Sequence, residues 1–309
     1  MDPITFTPLY QERVWGGRQL ETTFHRKLPT ADTPYGESWE LVDRDPEQSV
    51  VDQGPWAGKT LHDLWTRHRQ EVFGDSLPDA PRFPLLIKIL DARDDLSIQV
   101  HPPGHLAASL GGEPKTEMWY VAHAEPGARL YAGLKAGVDR AAFEQALADG
   151  SVASCVHAIE PRPGESIFIP SGRIHAIGAG FLIFEIQQNS DTTYRVFDWN
   201  RTGLDGKPRQ LHVAESLASI DFDDAEPGMD VPKDGVLAQC PHFTVRKVEL
   251  AADEALPLPD PSGFAILAVA AGALAAGSRV LVAGSTALLP RGGAAVTAVA
   301  PATVLIATL

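Results

Sequence analysis

The chain has 309 residues, 40 acidic against 26 basic side chains, a formal charge of −14 and two cysteines. Its apolar content of 44% excludes a disordered chain. The acid excess argues against a nucleic-acid binder or a protein docking on anionic membranes.

Cys155 and Cys240 are too few and too far apart for a disulfide framework, which points to a reducing compartment. The N-terminal MDPITFTPLYQERVW lacks the apolar segment of a secretion signal, so the expected location is the cytoplasm. Glycine (27) and proline (25) are spread through the chain, as in many short strands joined by turns.

In chain order, Gly36–Val42 reads as a short strand. Leu61–Phe73, with apolar Leu61, Leu64, Trp65, Val72 and Phe73, suits one helix. Pro84–Leu90 is a continuous apolar run of strand length, interrupted only by Lys88. Leu96–His101 alternates, which puts Ser97, Gln99 and His101 on one face. Met118–Ala122 is a strand and Asp139–Asp149 an amphipathic helix presenting Phe143, Ala146 and Leu147. Short strands follow at Ser166–Pro170, Ile174–Ile177 and Phe181–Gln187. The acidic stretch Asp221–Pro232 is the best linker, dividing a catalytic domain (1–230) from a C-terminal β domain (231–309). From Gly263 onward there is no acid, and the only charged side chains are Arg279 and Arg291. Glycines and prolines break this tail too often for a membrane helix, so it reads as short strands.

One repeat stands out. Gly164-Glu-Ser-Ile-Phe-Ile-Pro-Ser-Gly172 resembles Gly284-Ser-Thr-Ala-Leu-Leu-Pro-Arg-Gly292, which suggests two related β-barrels. Where the first copy is followed by His175, the second has Ala295, so only the first is equipped to hold a metal.

The strongest constellation is Gln99, His101, Glu117 and His175: two imidazoles, a carboxylate and an amide oxygen, a donor set suited to zinc or another divalent first-row metal. The alternative is a backbone-bonded core histidine and an unrelated surface one. Lys88 is costly inside an apolar strand unless paired or used. With Lys115, Arg195 and Arg201 it can line a pocket for an anion. His62, His68 and His105 read as solvated, Trp39, Trp56 and Trp65 as core, and Trp15 as core or a pocket wall. No phosphate-binding glycine loop and no GxSxG nucleophile turn is present.

The segments VWGG (14–17), GESWEL (36–41), PLLIKILDARDDLSIQVHP (84–102), KTEMWY (115–120), IPSGRIHAIG (169–178) and FEIQQNSDTTYRVFDWNR (184–201) together resemble the type I mannose-6-phosphate isomerases in their short bacterial form. The resemblance implies a mainly β fold of two cupin-type jelly-roll barrels with a few short helices, the second barrel smaller and metal-free. It implies one zinc ion per chain, held by Gln99, His101, Glu117 and His175. It assigns Arg195 to the active site, Glu185 to proton transfer with Lys115 as second candidate, and Lys88, Ser97 and Arg201 to phosphate binding. The second role for Lys115 requires a lowered pKa. The implied reaction is aldose–ketose isomerisation of mannose 6-phosphate through a cis-enediolate. The expected partner is a small sugar phosphate, with no nucleic acid and no membrane, and the chain a monomer or homodimer. The competing readings are a metal-dependent cupin oxygenase, against which Gln99 and the basic residues argue, and a non-catalytic sugar-phosphate-binding cupin.

Overall fold

The computed structural model describes residues 1–75, 77–258 and 263–309. The fold is mainly β, as expected, in three antiparallel sheets. The first holds, in spatial order, Leu9–Gly17, Tyr35–Leu41, Leu85–Ala92, Phe181–Gln188, Glu117–Ala124 and Ser166–Ile169. The second holds Tyr194–Phe197, Ile98–Val100, His175–Ile177, Leu130–Leu134 and Val156–Ile159. The third is built around the long strands Ala265–Ala276 and Val296–Thr308, and Ile4–Thr5 from the N-terminus joins its edge through Thr286–Leu289.

Central strands of the first sheet are covered on both faces, which is why Leu85–Ala92 runs apolar instead of alternating. The period of two still sorts their side chains. Leu85, Ile87, Ile89, Met118, Tyr120, Leu182, Phe184 and Ile186 face one core, shared with Leu61, Leu64, Trp65 and Phe264 and, from the third sheet, Ile266 and Leu305. The opposite face carries Lys88, Glu117, Trp119 and Glu185, in register: Lys88 and Trp119 both stand opposite Glu185, and Glu117 opposite Gln187. The second sheet lies over this face. On it Arg195, Gln99 and His175 are cross-strand neighbours in a row. The site is therefore a product of two registers, one per sheet.

Two details of the sequence reading change. Leu61–Phe73 is two helices, Leu61–Arg67 and Arg69–Phe73, because His68 leaves helical geometry (φ −125°, ψ 23°) and packs 4.4 Å from the Trp56 ring. The first helix starts at a capping box in which Thr60 and Asp63 satisfy each other's backbone N–H groups. The tail is not a run of short strands: Ala265–Ala276 and Val296–Thr308 are 12 and 13 residues long. Gly272 (φ 76°) sits at a bulge so close to the backbone of Pro301 and Ala302 that no side chain fits, so it bends the strand without ending it. No described helix is long and apolar enough to cross a membrane.

The repeat has a structural counterpart. Ser166–Ile169 and Thr286–Leu289 are each followed by proline and a glycine at positive φ (Gly172, 95°; Gly292, 59°). His175 then opens a strand, whereas Ala295 is an exposed loop residue.

Asp91, on the Leu85–Ala92 strand of the first sheet, is fully buried and accepts the Gln19 and Leu20 N–H groups on Oδ2, while Oδ1 has no partner among the described residues. Burial pushes its pKa up to about 6, against those two N–H donors. The native state then holds a proton that the unfolded chain has released, so stability falls as pH rises from about 4 to 6 and is level above. Asp91→Asn should lack this slope. The variant should gain on wild type by up to about 3 kcal/mol across that window. Urea unfolding of both proteins at pH 4.5 and 7 checks this; a pH-independent difference would refute it.

Candidate active site

Between the two sheets lie His101, Glu117 and His175, all buried, with donor atoms within 4.8 Å of one another. His101 Nε2 is 3.4 Å and His175 Nε2 3.5 Å from the two Glu117 oxygens. Each imidazole donates its Nδ1–H to a backbone carbonyl at 2.9 Å, His101 to Thr192 and His175 to Arg173. That fixes the tautomer and turns the Nε2 lone pair inward. The Gln99 amide joins them, 3.3 Å from His175 Nε2, and either end of it can face the cluster.

These groups fit a cation. His101 Nε2 and both Glu117 oxygens are buried without a hydrogen-bond partner among the described residues. The Lys115 ammonium lies 2.9 Å from Glu117 Oε2, but the lone pairs of both imidazoles and the carboxylate still point at one another in a dry interior, which is costly unless a further positive ion sits among them. Burial, then Lys115, lowers the His101 pKa to about 3, and burial lowers that of His175, so both are neutral ligands at pH 7. Burial opposes ionisation of Glu117, but the Lys115 ammonium holds it well below the usual carboxylate range.

A line of alternating charges leads outward from this cluster. Lys115 Nζ lies 2.9 Å from Glu117 and 3.9 Å from Glu185, and Lys88 Nζ 3.4 Å from Glu185 and 3.8 Å from Glu37. Arg13 closes the line, 2.9 Å from Glu37. The Trp119 indole N–H donates to Glu185 (2.9 Å) and that of Trp39 to Glu37 (2.6 Å). Burial, then the Glu117 charge, raises the pKa of Glu185, with Lys115 and Lys88 opposing. For Glu37 burial is outweighed by Lys88 and Arg13, and its pKa falls to about 2.

On the facing wall, Ser97 donates to Gln99 (3.2 Å) and accepts from Arg195 Nε (3.3 Å). Arg195 Nη1 donates to the Gln210 carbonyl, and its guanidinium pairs with no carboxylate among the described residues. The two walls enclose a cavity of about 580 Å³, a volume suited to a small ligand.

The family model for the type I phosphomannose isomerase catalytic domain matches residues 4–113. The mannose-6-phosphate isomerase ManA of Bacillus subtilis is 36% identical over 280 residues, covering 88% of this chain and 86% of that protein. The chain belongs to the type I mannose-6-phosphate isomerases. The crystal structure of the Bacillus subtilis mannose 6-phosphate isomerase matches with a TM-score of 0.88 and 31% identity over the full length of both chains. A mannose 6-phosphate isomerase solved with zinc and yttrium, at 16% identity and a TM-score of 0.74, shares the fold. Membership decides against the oxygenase and sensor readings.

In this isomerase the structure brings together nine of the ten residues singled out from sequence. Gln99, His101, Glu117 and His175 cluster, and Lys88, Ser97, Lys115, Glu185 and Arg195 reach the cavity above them. Arg201 stands apart: it does not line the cavity, and Asp198 and Asp94 hold its guanidinium. The condition for Lys115 as a base is not met, because Glu117 and Glu185 flank it and raise its pKa although burial alone would lower it. Lys88 is bracketed by two carboxylates, unlike a cation free for phosphate. Trp15 both packs in the core and walls the cavity. Sequence reasoning missed Glu37, Arg13 and Arg209, which also line it. Only Glu37 carried a signal, since its place in a strand two residues before Trp39 puts both on one face.

Proposed function

We propose that this isomerase interconverts mannose 6-phosphate and fructose 6-phosphate, with one zinc ion held by Gln99, His101, Glu117 and His175. The observation that carries the reading is the convergence of the His101, Glu117 and His175 donor atoms within 4.8 Å, next to a cavity walled by Gln99, Glu185 and Arg195. Zinc when bound there supplies Lewis acidity toward the oxygens on C1 and C2 of the open-chain sugar. Glu185 takes the C2 proton and returns it to C1, and its raised pKa brings its proton affinity closer to what the transfer needs. Trp119 fixes one carboxylate oxygen and leaves the other toward Lys88 and Lys115, so the base is oriented before substrate arrives. Lys115 keeps its proton and offsets the charge of Glu117 and Glu185. Arg195 is positioned to stabilise the negative charge that develops on the substrate.

Purified protein analysed for metal and run in an assay for fructose 6-phosphate formation tests this directly. Wild type should contain zinc and turn over mannose 6-phosphate. Arg195→Ala should keep its metal and lose about a hundredfold or more in kcat. Near-normal kcat/KM in that variant would remove Arg195 from the chemistry.

A further inference from the structure

The phosphate reading requires a cation at the mouth of the cavity, and neither sequence-derived candidate serves well. Lys88 is neutralised by Glu37 and Glu185, and Arg201 does not line the cavity. The loop that follows the Tyr194–Phe197 strand supplies another. Trp199 and Asn200 both take left-handed backbone conformations (φ 55° and 54°), which turn the chain back on itself. The loop closes where the Gly203 N–H bonds the Lys207 carbonyl, and it rejoins the strand where the His212 N–H bonds the Arg195 carbonyl. This return carries Arg209 to the cavity beside Arg195.

Asp198 holds Arg209 in place, accepting from its Nε (2.7 Å) and Nη2, and the same carboxylate also takes Arg201 (3.0 Å). Arg209 Nη1 has no partner among the described residues, nor does Nη2 of Arg195. Asp198 therefore holds two guanidiniums, Arg201 and Arg209, and Arg209 and Arg195 open onto the cavity with a donor free on each. Burial lowers the Arg195 pKa, and the charge of Arg209 is the next largest influence in the same direction. Asp198 offsets only one of these charges, so the wall keeps a net positive charge and a free donor on Arg209, which suits a phosphate dianion. It is also the local reversal of sign that a chain of charge −14 needs in order to hold an anion.

We propose that Arg209, presented by the 199–211 loop and held by Asp198, grips the substrate's phosphate, and that it has this role in place of Arg201. The assignment rests on the mannose 6-phosphate reading above, and its test separates the two. Loss of one charged, partly desolvated donor group should cost about ten- to a hundredfold in phosphate affinity. In Arg209→Ala, KM for mannose 6-phosphate should rise by that factor while kcat stays within a few-fold. Competitive inhibition by inorganic phosphate should weaken in parallel. The kcat/KM for unphosphorylated mannose should hold, and Arg209→Lys should recover part of the loss. Arg201→Ala should raise KM less than Arg209→Ala. Unaltered metal content and thermal midpoint establish that the variant is folded.

An equal loss on mannose and mannose 6-phosphate would overturn the proposal, as would a larger KM effect from Arg201→Ala. Calorimetric titration of wild type and Arg209→Ala with inorganic phosphate reads the site without turnover. If wild type failed to isomerise mannose 6-phosphate yet bound phosphate through Arg209, the functional reading would fall and the anion site would stand. If wild type were active and phosphate bound both proteins alike, the anion site alone would fall.

Discussion

Glu117→Gln should release the metal and abolish turnover together, lowering kcat/KM by about a thousandfold or more, the several kcal/mol that a Lewis-acid ion contributes. Glu117 is the only formal negative charge among the four metal-facing residues, it is fully buried, and its two oxygens face the two histidines from one side. Glutamine keeps the shape and removes the charge. Its N–H₂ group would aim a donor at an imidazole nitrogen already committed, through its Nδ1–H, to presenting a lone pair. It would also leave the Lys115 ammonium, 2.9 Å away, with Glu185 as its remaining nearby counter-charge. A buried cation that loses its partner repels a second cation arriving beside it, so metal affinity should fall for two reasons at once. Metal analysis after dialysis should find the variant essentially empty. Chelation should lower the thermal midpoint of wild type and leave that of the variant unchanged. A variant that kept a full complement of tightly bound zinc would place the cation elsewhere, and His175→Ala would then be expected to retain it too.

What was legible in the sequence and what was not divides along a physical line. Lys88 in an apolar run and the alternation of Ser97, Gln99 and His101 are visible because a strand's period is local: two residues fix which side chains share a face. The repeat is visible because a glycine at positive φ and a following proline constrain the backbone wherever they occur. The Glu37–Lys88–Glu185 line is not local. It depends on Trp39 and Glu185 both standing opposite Lys88, a register between strands some 50 and 100 residues apart in the chain. The glycines of the VWGG and GESWEL segments hint at it, since Gly36 packs its bare Cα against the Trp15 ring, but that contact exists only once the strands are paired. Arg209 left no trace, because a loop residue has no periodicity and its position is set by where Asp198 and two left-handed residues send the chain. The family resemblance therefore carried Arg201, the residue nearest in sequence to the motif, and missed the one that the fold delivers to the cavity.

The division of labour between Glu185 and Lys115 yields the other large effect. Glu185→Gln should retain metal, change KM by no more than a few-fold, and lose about a hundred- to ten-thousandfold in kcat, the range for removal of a positioned general base. Solvent exchange of the C2 hydrogen, followed by NMR in deuterated buffer, should disappear with it, since exchange requires the transferred proton to visit a protein group. Lys115 does not substitute for the missing base. Its ammonium is flanked by two carboxylates that stabilise the charged form, and a protonated amine has no lone pair to accept a proton. Lys115→Met separates the roles. Without the ammonium, Glu117 and Glu185 repel each other across the gap that it filled, Glu185 binds its proton more tightly, and the acid limb of kcat/KM should move to higher pH. A base that is protonated until a higher pH is active over a narrower range, but it is still a base. The variant should therefore regain exchange as pH rises. Had Lys115 been the base, exchange would be absent at every pH, and Glu185→Gln would have kept it.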